Sequence, residues 1–431
     1  MKPNFQLIIL IVFVVAAILG VLVFSGAIPI GTDSNTSGAL GTVTVWGTVP
    51  NSQIATAIED FNTANPSFIV KYVEKYPETF DQELLEALAE GTGPDIFFLP
   101  DNLIFHYTNK IFPIPYTVYP LSTFKNVFAG AGEVFLSDKG ILAFPISIDP
   151  LVTYYNRSIL DAGGVVYPPN TWDDLTSMVS ILTKKDDANK ITKSTVAMGH
   201  FSNVVHAKDI LSSLFIQAGN PIVAEKEGKY ESALGSPVGN YDVASVLKFY
   251  TDFADPNSPV YSWNKSFPDS DAVFSREDLA FYFGYASELE SMIKRNPNQN
   301  FFVSSFPQIK NATSKSTIAR VTGIAISSFS KNLNTAFTAA SLMATSDFAS
   351  RFVGATRVAP ARRDLLALKP TDAYSPTFYS SALFAKSWID PSPKDTDNIW
   401  SGMINAVLSN NMSVSDAIKD ASSKLQLLLL K

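Results

Sequence analysis

No cysteine occurs in the 431 residues, which excludes disulfides, thiolate metal sites, a cysteine nucleophile and a lipid-modified cysteine near the N-terminus. Histidine is nearly as scarce. His106, His200 and His206 are the whole supply, and their spacing fits no zinc motif. Basic charge is in deficit, with 33 Lys and Arg against 40 Asp and Glu, for a net charge of −7. That balance argues against nucleic acid and against an anionic membrane surface as partners. The phosphate-binding loop, the dinucleotide glycine fingerprint, the G-x-S-x-G elbow and H-E-x-x-H are also absent. Neither a metal nor a cofactor is expected.

What the chain does have is length and apolar mass. Its size suggests roughly two to three domains, and its 31 Phe and 16 Tyr can fill cores with aromatics left over for a binding surface. Lys2 precedes an uncharged run from Phe5 to Phe24. About 20 residues at 1.5 Å each match the thickness of a bilayer's hydrocarbon, and a cleaved leader usually has a shorter apolar core. Residues 1–27 are therefore expected to be an uncleaved transmembrane anchor, with a cut after Ala27 as the alternative. The positive end stays inside, so the rest of the chain lies outside. Residues 28–41 form a small, polar linker.

From Thr42 the pattern turns to α/β. TVTVW, Phe68 to Glu74 and Asp95 to Leu99 read as strands. Between them, Ile54, Ala57, Ile58 and Phe61 share one helix face, and Thr79 to Glu90 reads as a helix that Thr79 and Gln82 box and Gly91 closes. Strand and helix alternating in this way predict a parallel α/β lobe. The stretch Gly140 to Leu175 organises the remainder. Two short strands, Ile141 to Ile148 and Leu151 to Tyr155, flank Asp149-Pro150. A helix from Arg157 to Ala162 ends at Gly163-Gly164, and Thr171 with Asp174 caps the next.

The order FP-x-x-x-D-x-x-x-x-YYN, then PP-x-TWDDL, closely resembles the extracellular solute-binding proteins of sugar-importing ABC transporters, the maltodextrin-binding type. LLEALAEGTGPDIFFLPD, TGIAISSFS and the C-terminal IWSGMINAVLSNNMSVSDAIKDASSKL extend the resemblance over nearly all of Thr42 to Leu425. It implies a two-lobed periplasmic-binding-protein-like α/β fold, with discontinuous lobes and hinge crossings, preceded here by the N-terminal helix. The first lobe would take residues 42–149 and 322–368, the second 151–318 and 376–431. The implied function is binding a sugar or oligosaccharide and delivering it, as a monomer, to an ABC transporter permease. Leu99 stands where some maltodextrin binders carry a stacking tryptophan, which counts against a malto-oligosaccharide ligand.

A sugar presents C–H faces, which aromatic rings cover, and hydroxyls, which carboxylates and amides satisfy. Open α/β sheets offer such a site at strand ends. Trp46, Asp101, Asp149, Tyr155 and Tyr285 all stand at strand ends or on the crossing, and the resemblance places Asp101 and Asp149 where ligand-contacting acids occur. Alternation sends Tyr154 and Tyr155 to opposite faces, so only one of them should face the cleft. The strand-end set lacks arginine, which favours a neutral ligand, with Arg362 as the possible exception. An alternative use of the same fold is a membrane-tethered receptor that reports to a sensor. Catalysis is not expected: Asp101 and Asp149 are the one plausible carboxyl pair for a glycosidase, and no further motif supports them.

Overall fold

Every second side chain of Thr42–Gly47 turns inward, the period-two signature of a strand with one solvated face. The computed structural model describes residues 41–235 and 241–430. The expected anchor lies outside them, and among the described residues no helix is long and apolar enough to cross a membrane. The principal elements are β1 (Thr42–Gly47), α1 (Asn51–Ala64), β2 (Ile69–Glu74), α2 (Phe80–Glu90) and β3 (Ile96–Pro100), followed by β4 (Ala143–Asn156), α3 (Trp172–Leu182), β5 (Ile191–Val196) and α4 (Ala207–Gln217). Then come β6 (Leu279–Tyr285), β7 (Phe301–Ser305), β8 (Thr317–Ile326), α5 (Ser346–Thr356), β9 (Ala359–Pro360), β10 (Ala385–Lys386), α6 (Pro393–Leu408) and α7 (Val414–Leu429).

One sheet carries the order β2-β1-β3-β8-β4-β6-β5, with β7 and β9 also on β4 and β10 on β8. Two cores flank it. One draws on residues 43–148 and 319–366 with Ala382 and Ala385, and the other on 151–318 and 378–429. Strand β4 passes from one core to the other.

That continuity corrects the expectation of two short strands. The chain stays extended through Asp149-Pro150, and what changes is its neighbours. Up to Pro150 it pairs with β8 and β9; from Leu151 it pairs with β6 and, from Val152, with β7. A residue without an amide hydrogen is tolerated at such a change of partner.

Several local expectations hold. Thr171 and Asp174 form the capping box of α3, and the helix Arg157–Ala162 stands where it was expected. Asn156 caps that helix and Ser413 caps α7, both through the side chain. Gly91 closes α2 at φ 70°, a conformation that costs a residue with a Cβ. In the Gly163-Gly164 pair after Ala162, Gly164 takes the left-handed conformation. One detail differs: Thr79 makes no cap to α2, and its hydroxyl donates to Glu83 one turn on.

Candidate ligand-binding cleft

Both cores wall a cavity of about 760 Å3. From the first come Val49, Phe98 and Asp101; from the second Phe201, the α4 start His206 to Asp209, and Tyr285. Strand β4 supplies Ser147 and Asp149, strand β8 supplies Arg320, and the segment after β10 supplies Ser387, Trp388 and Asp390.

Asp101 opens a single turn of 3-10 helix directly after β3 and is 6% exposed. The Asn102 amide donates to its Oδ1 at 3.0 Å and the Ser387 hydroxyl to its Oδ2, which ties the end of β3 to the segment after β10. Burial pushes its carboxyl up to about 7, against the pull of Ser387 and Arg320. Asp149 accepts from the Ser287 amide at 2.9 Å and from its hydroxyl at 2.6 Å, and desolvation raises its carboxyl as well.

Tyr285 ends β6 and lines the cavity, yet its ring offers no free face. The Arg320 guanidinium lies 3.9 Å from the ring centre, His206 packs edge-on at 4.9 Å, and the residue is 1% exposed. Trp46 does not line the cavity, and the Lys75 ammonium covers its ring at 3.7 Å. Tyr155 is not in the wall either. Strand β4 has entered the second core by then, so Tyr155 packs against Phe302 while Tyr154 donates to the Tyr285 carbonyl at 2.8 Å. Arg362 lies outside the wall, bonded to Asp364 and the Ala344 carbonyl.

The open aromatic surface is Trp388. Half-buried in the cavity wall, it stacks on fully buried Trp400 at 5.6 Å and 18°, so its plane is fixed from behind. Phe201 faces the same space.

Sequence reasoning missed the charged cluster beside it. His206, in a left-handed conformation at φ 64°, donates from Nε2 to Glu288 at 2.5 Å and pairs with Asp209 at 3.7 Å. Glu288 also accepts from the Tyr282 hydroxyl and the Tyr285 amide. Gly284 makes room for this, since a Cβ there would collide with the Tyr282 ring and come within 3.1 Å of Glu288. Burial opposes the charged imidazole, but hydrogen bonds with Asp209 and Glu288 outweigh it and hold His206 at about 9. Its folded value exceeds the unfolded 6.5, so this stabilisation is complete below about 6.5 and lost as pH rises through about 9. The thermal midpoint should therefore fall between pH 7 and 9.5, and His206→Gln should flatten that part of the profile. An unchanged slope would show that His206 carries no such charge. Among the described residues no cluster of side chains is placed to hold a metal.

A family model described as bacterial extracellular solute-binding protein matches residues 56–399. The chain belongs to that family. No curated protein matches this solute-binding protein, but solved structures do. A cyclic alpha-maltosyl-1,6-maltose binding protein from Arthrobacter globiformis is 15% identical, covering 90% of this chain and 98% of its own at a TM-score of 0.74. A cyclo/maltodextrin-binding protein complexed with maltotetraose is 16% identical, covering 92% and 98% at 0.72. The sugar-binding protein MalE from Xanthomonas citri is 17% identical, covering 90% and 97% at 0.71. At these identities the likeness is one of fold. The solute-binding protein has the two-lobed, periplasmic-binding-protein-like α/β architecture, with the cleft just described between its lobes.

Proposed function

We propose that the cleft binds a neutral sugar or oligosaccharide and that the protein delivers it to the permease of an ABC transporter. The observation that carries this reading is the Trp388 ring, stacked on Trp400 and lining a cavity that also presents Asp101, Asp149, Ser287 and Ser387. An apolar plane beside hydroxyls and carboxylates matches the two surfaces of a sugar. The structural neighbours' printed ligands, maltotetraose, alpha-D-tagatose and mannobiose, support the same class. A glycosidase is the weaker reading, because the family that the chain belongs to is one of solute-binding proteins.

In this reading the lobes are residues 42–149 with 322–368 and 151–318 with 376–431, save that Ala382 and Ala385 pack into the first core. They close about the β4 and β8 crossings, residues 5–24 tether the protein to the membrane, and it acts as a monomer. Titration calorimetry against maltotetraose, mannobiose, tagatose, sugar phosphates and short peptides should show tight binding among the neutral sugars. A phosphate or peptide bound tightly, with no neutral sugar, would sink the reading.

A further inference from the structure

Nine of the ten residues of β8 are buried or half-buried, and Arg320 is the exception. It sits opposite Asp149 in the register, between buried Ala319 and Val321, with 55% of its side chain exposed in the cavity wall. A cation at that place in a hinge strand is not filling a core. Its one ion pair is long, to Asp209 at 4.0 Å, and among the described residues no acceptor takes a hydrogen bond from the guanidinium.

The group is nonetheless held. Its plane lies over the Tyr285 ring, which is fixed by the His206 ring at its edge, and Glu288 anchors both the Tyr285 amide and His206. A guanidinium stacked in this way keeps its edge of N–H donors free and oriented, so little rotamer freedom remains to be lost on binding.

We propose that Arg320 is the specificity-determining donor of the cleft, a fixed fork that bonds two adjacent neutral oxygens of the sugar, a vicinal diol or a hydroxyl and its ring oxygen. This inference rests on the sugar-binding reading. The choice of neutral oxygens over a carboxylate or phosphate follows from the surroundings. Asp101, Asp149, Asp209 and Glu288 all act electrostatically on Arg320. His206 and Lys208 are the other cations of this cluster, and Lys208 is paired with Asp390 and Asp397. The acids therefore outnumber the cations and leave an anionic ligand facing net repulsion, whereas hydroxyls accept from the fork and donate to the neighbouring carboxylates.

The test is calorimetry on the full chain with maltotetraose, mannobiose and tagatose, then with deoxy analogues and the uronate form of whichever sugar binds. Arg320→Gln should weaken binding roughly ten- to a hundred-fold. Arg320→Lys should recover little, because a point charge does not span two acceptors. The wild type should bind the uronate more weakly than the neutral sugar. One deoxy analogue should lose affinity for the wild type but lose nothing further with Arg320→Gln, a coupling that a merely structural arginine would not show. Equal affinity of wild type and Arg320→Gln for a sugar would overturn the role of Arg320 and leave the sugar reading standing. Tighter binding of the uronate would overturn the neutral-oxygen assignment without needing any variant. If the wild type binds none of these sugars, both fall together.

Discussion

Trp388→Ala should lower affinity for the bound sugar about ten- to a hundred-fold. A tryptophan plane that covers one pyranose face removes apolar area worth about 25 cal/mol per Å2, or roughly 1 to 3 kcal/mol in all. The ligand-free protein should melt at nearly its wild-type temperature, because Trp388 is only half-buried while Trp400 beneath it belongs to the core. Calorimetry and a thermal melt on the same sample separate the two roles. Unchanged affinity with a lowered melting point would make Trp388 a packing residue. Trp46→Ala is the contrasting control and should leave affinity where it was, since Lys75 rather than a ligand covers that ring.

The largest loss of stability is expected from Lys208→Met. Lys208 leaves α4 with its side chain 13% exposed, and its ammonium meets Asp390 at 3.0 Å, Asp397 at 2.7 Å and the Thr396 hydroxyl at 3.1 Å. This cluster fastens α4 to the start of α6. Asp390 is 8% exposed in its side chain, so removing the cation strands a buried carboxylate, at a cost of about 3 to 5 kcal/mol. Urea unfolding measures it. Adding Asp390→Asn to Lys208→Met should restore part of the loss, because the stranded charge is then gone. A change below about 1 kcal/mol in the single variant would show a solvated pair instead.

The fold and half of the site were legible for the same physical reason. Strand ends and caps are local features, so Asp101 after β3 and Asp149 at the neighbour change of β4 announce themselves through Pro100-Asp101 and Asp149-Pro150. Whether a ring is free to stack is not local. Trp46 is covered by Lys75 and Tyr285 by Arg320, partners 29 and 35 residues away that no spacing rule connects. Arg320 escaped notice because it lies inside a strand, where a lone cation reads as a solvent-facing position, and not at a strand end. His206, Asp209 and Glu288 come together only once α4 packs beside the turn after β6. Trp388 and Trp400 are twelve residues apart on either side of a helix start, and only the fold decides which one meets the cleft.

The insertion of β8 between β3 and β4 also governs how the chain comes into being. Strands β3 and β4 are complete by Asn156, but the strand that joins them begins at Thr317. At about 5 to 20 residues per second, synthesis leaves the first sheet open for roughly 10 to 30 s. During that wait two strand edges lie bare, each a template for pairing with another chain. Pro100, Pro145 and Pro150 fall on those very strands. Each removes an amide donor from an edge, so the residues that mark the crossing also keep the waiting sheet from recruiting the wrong partner.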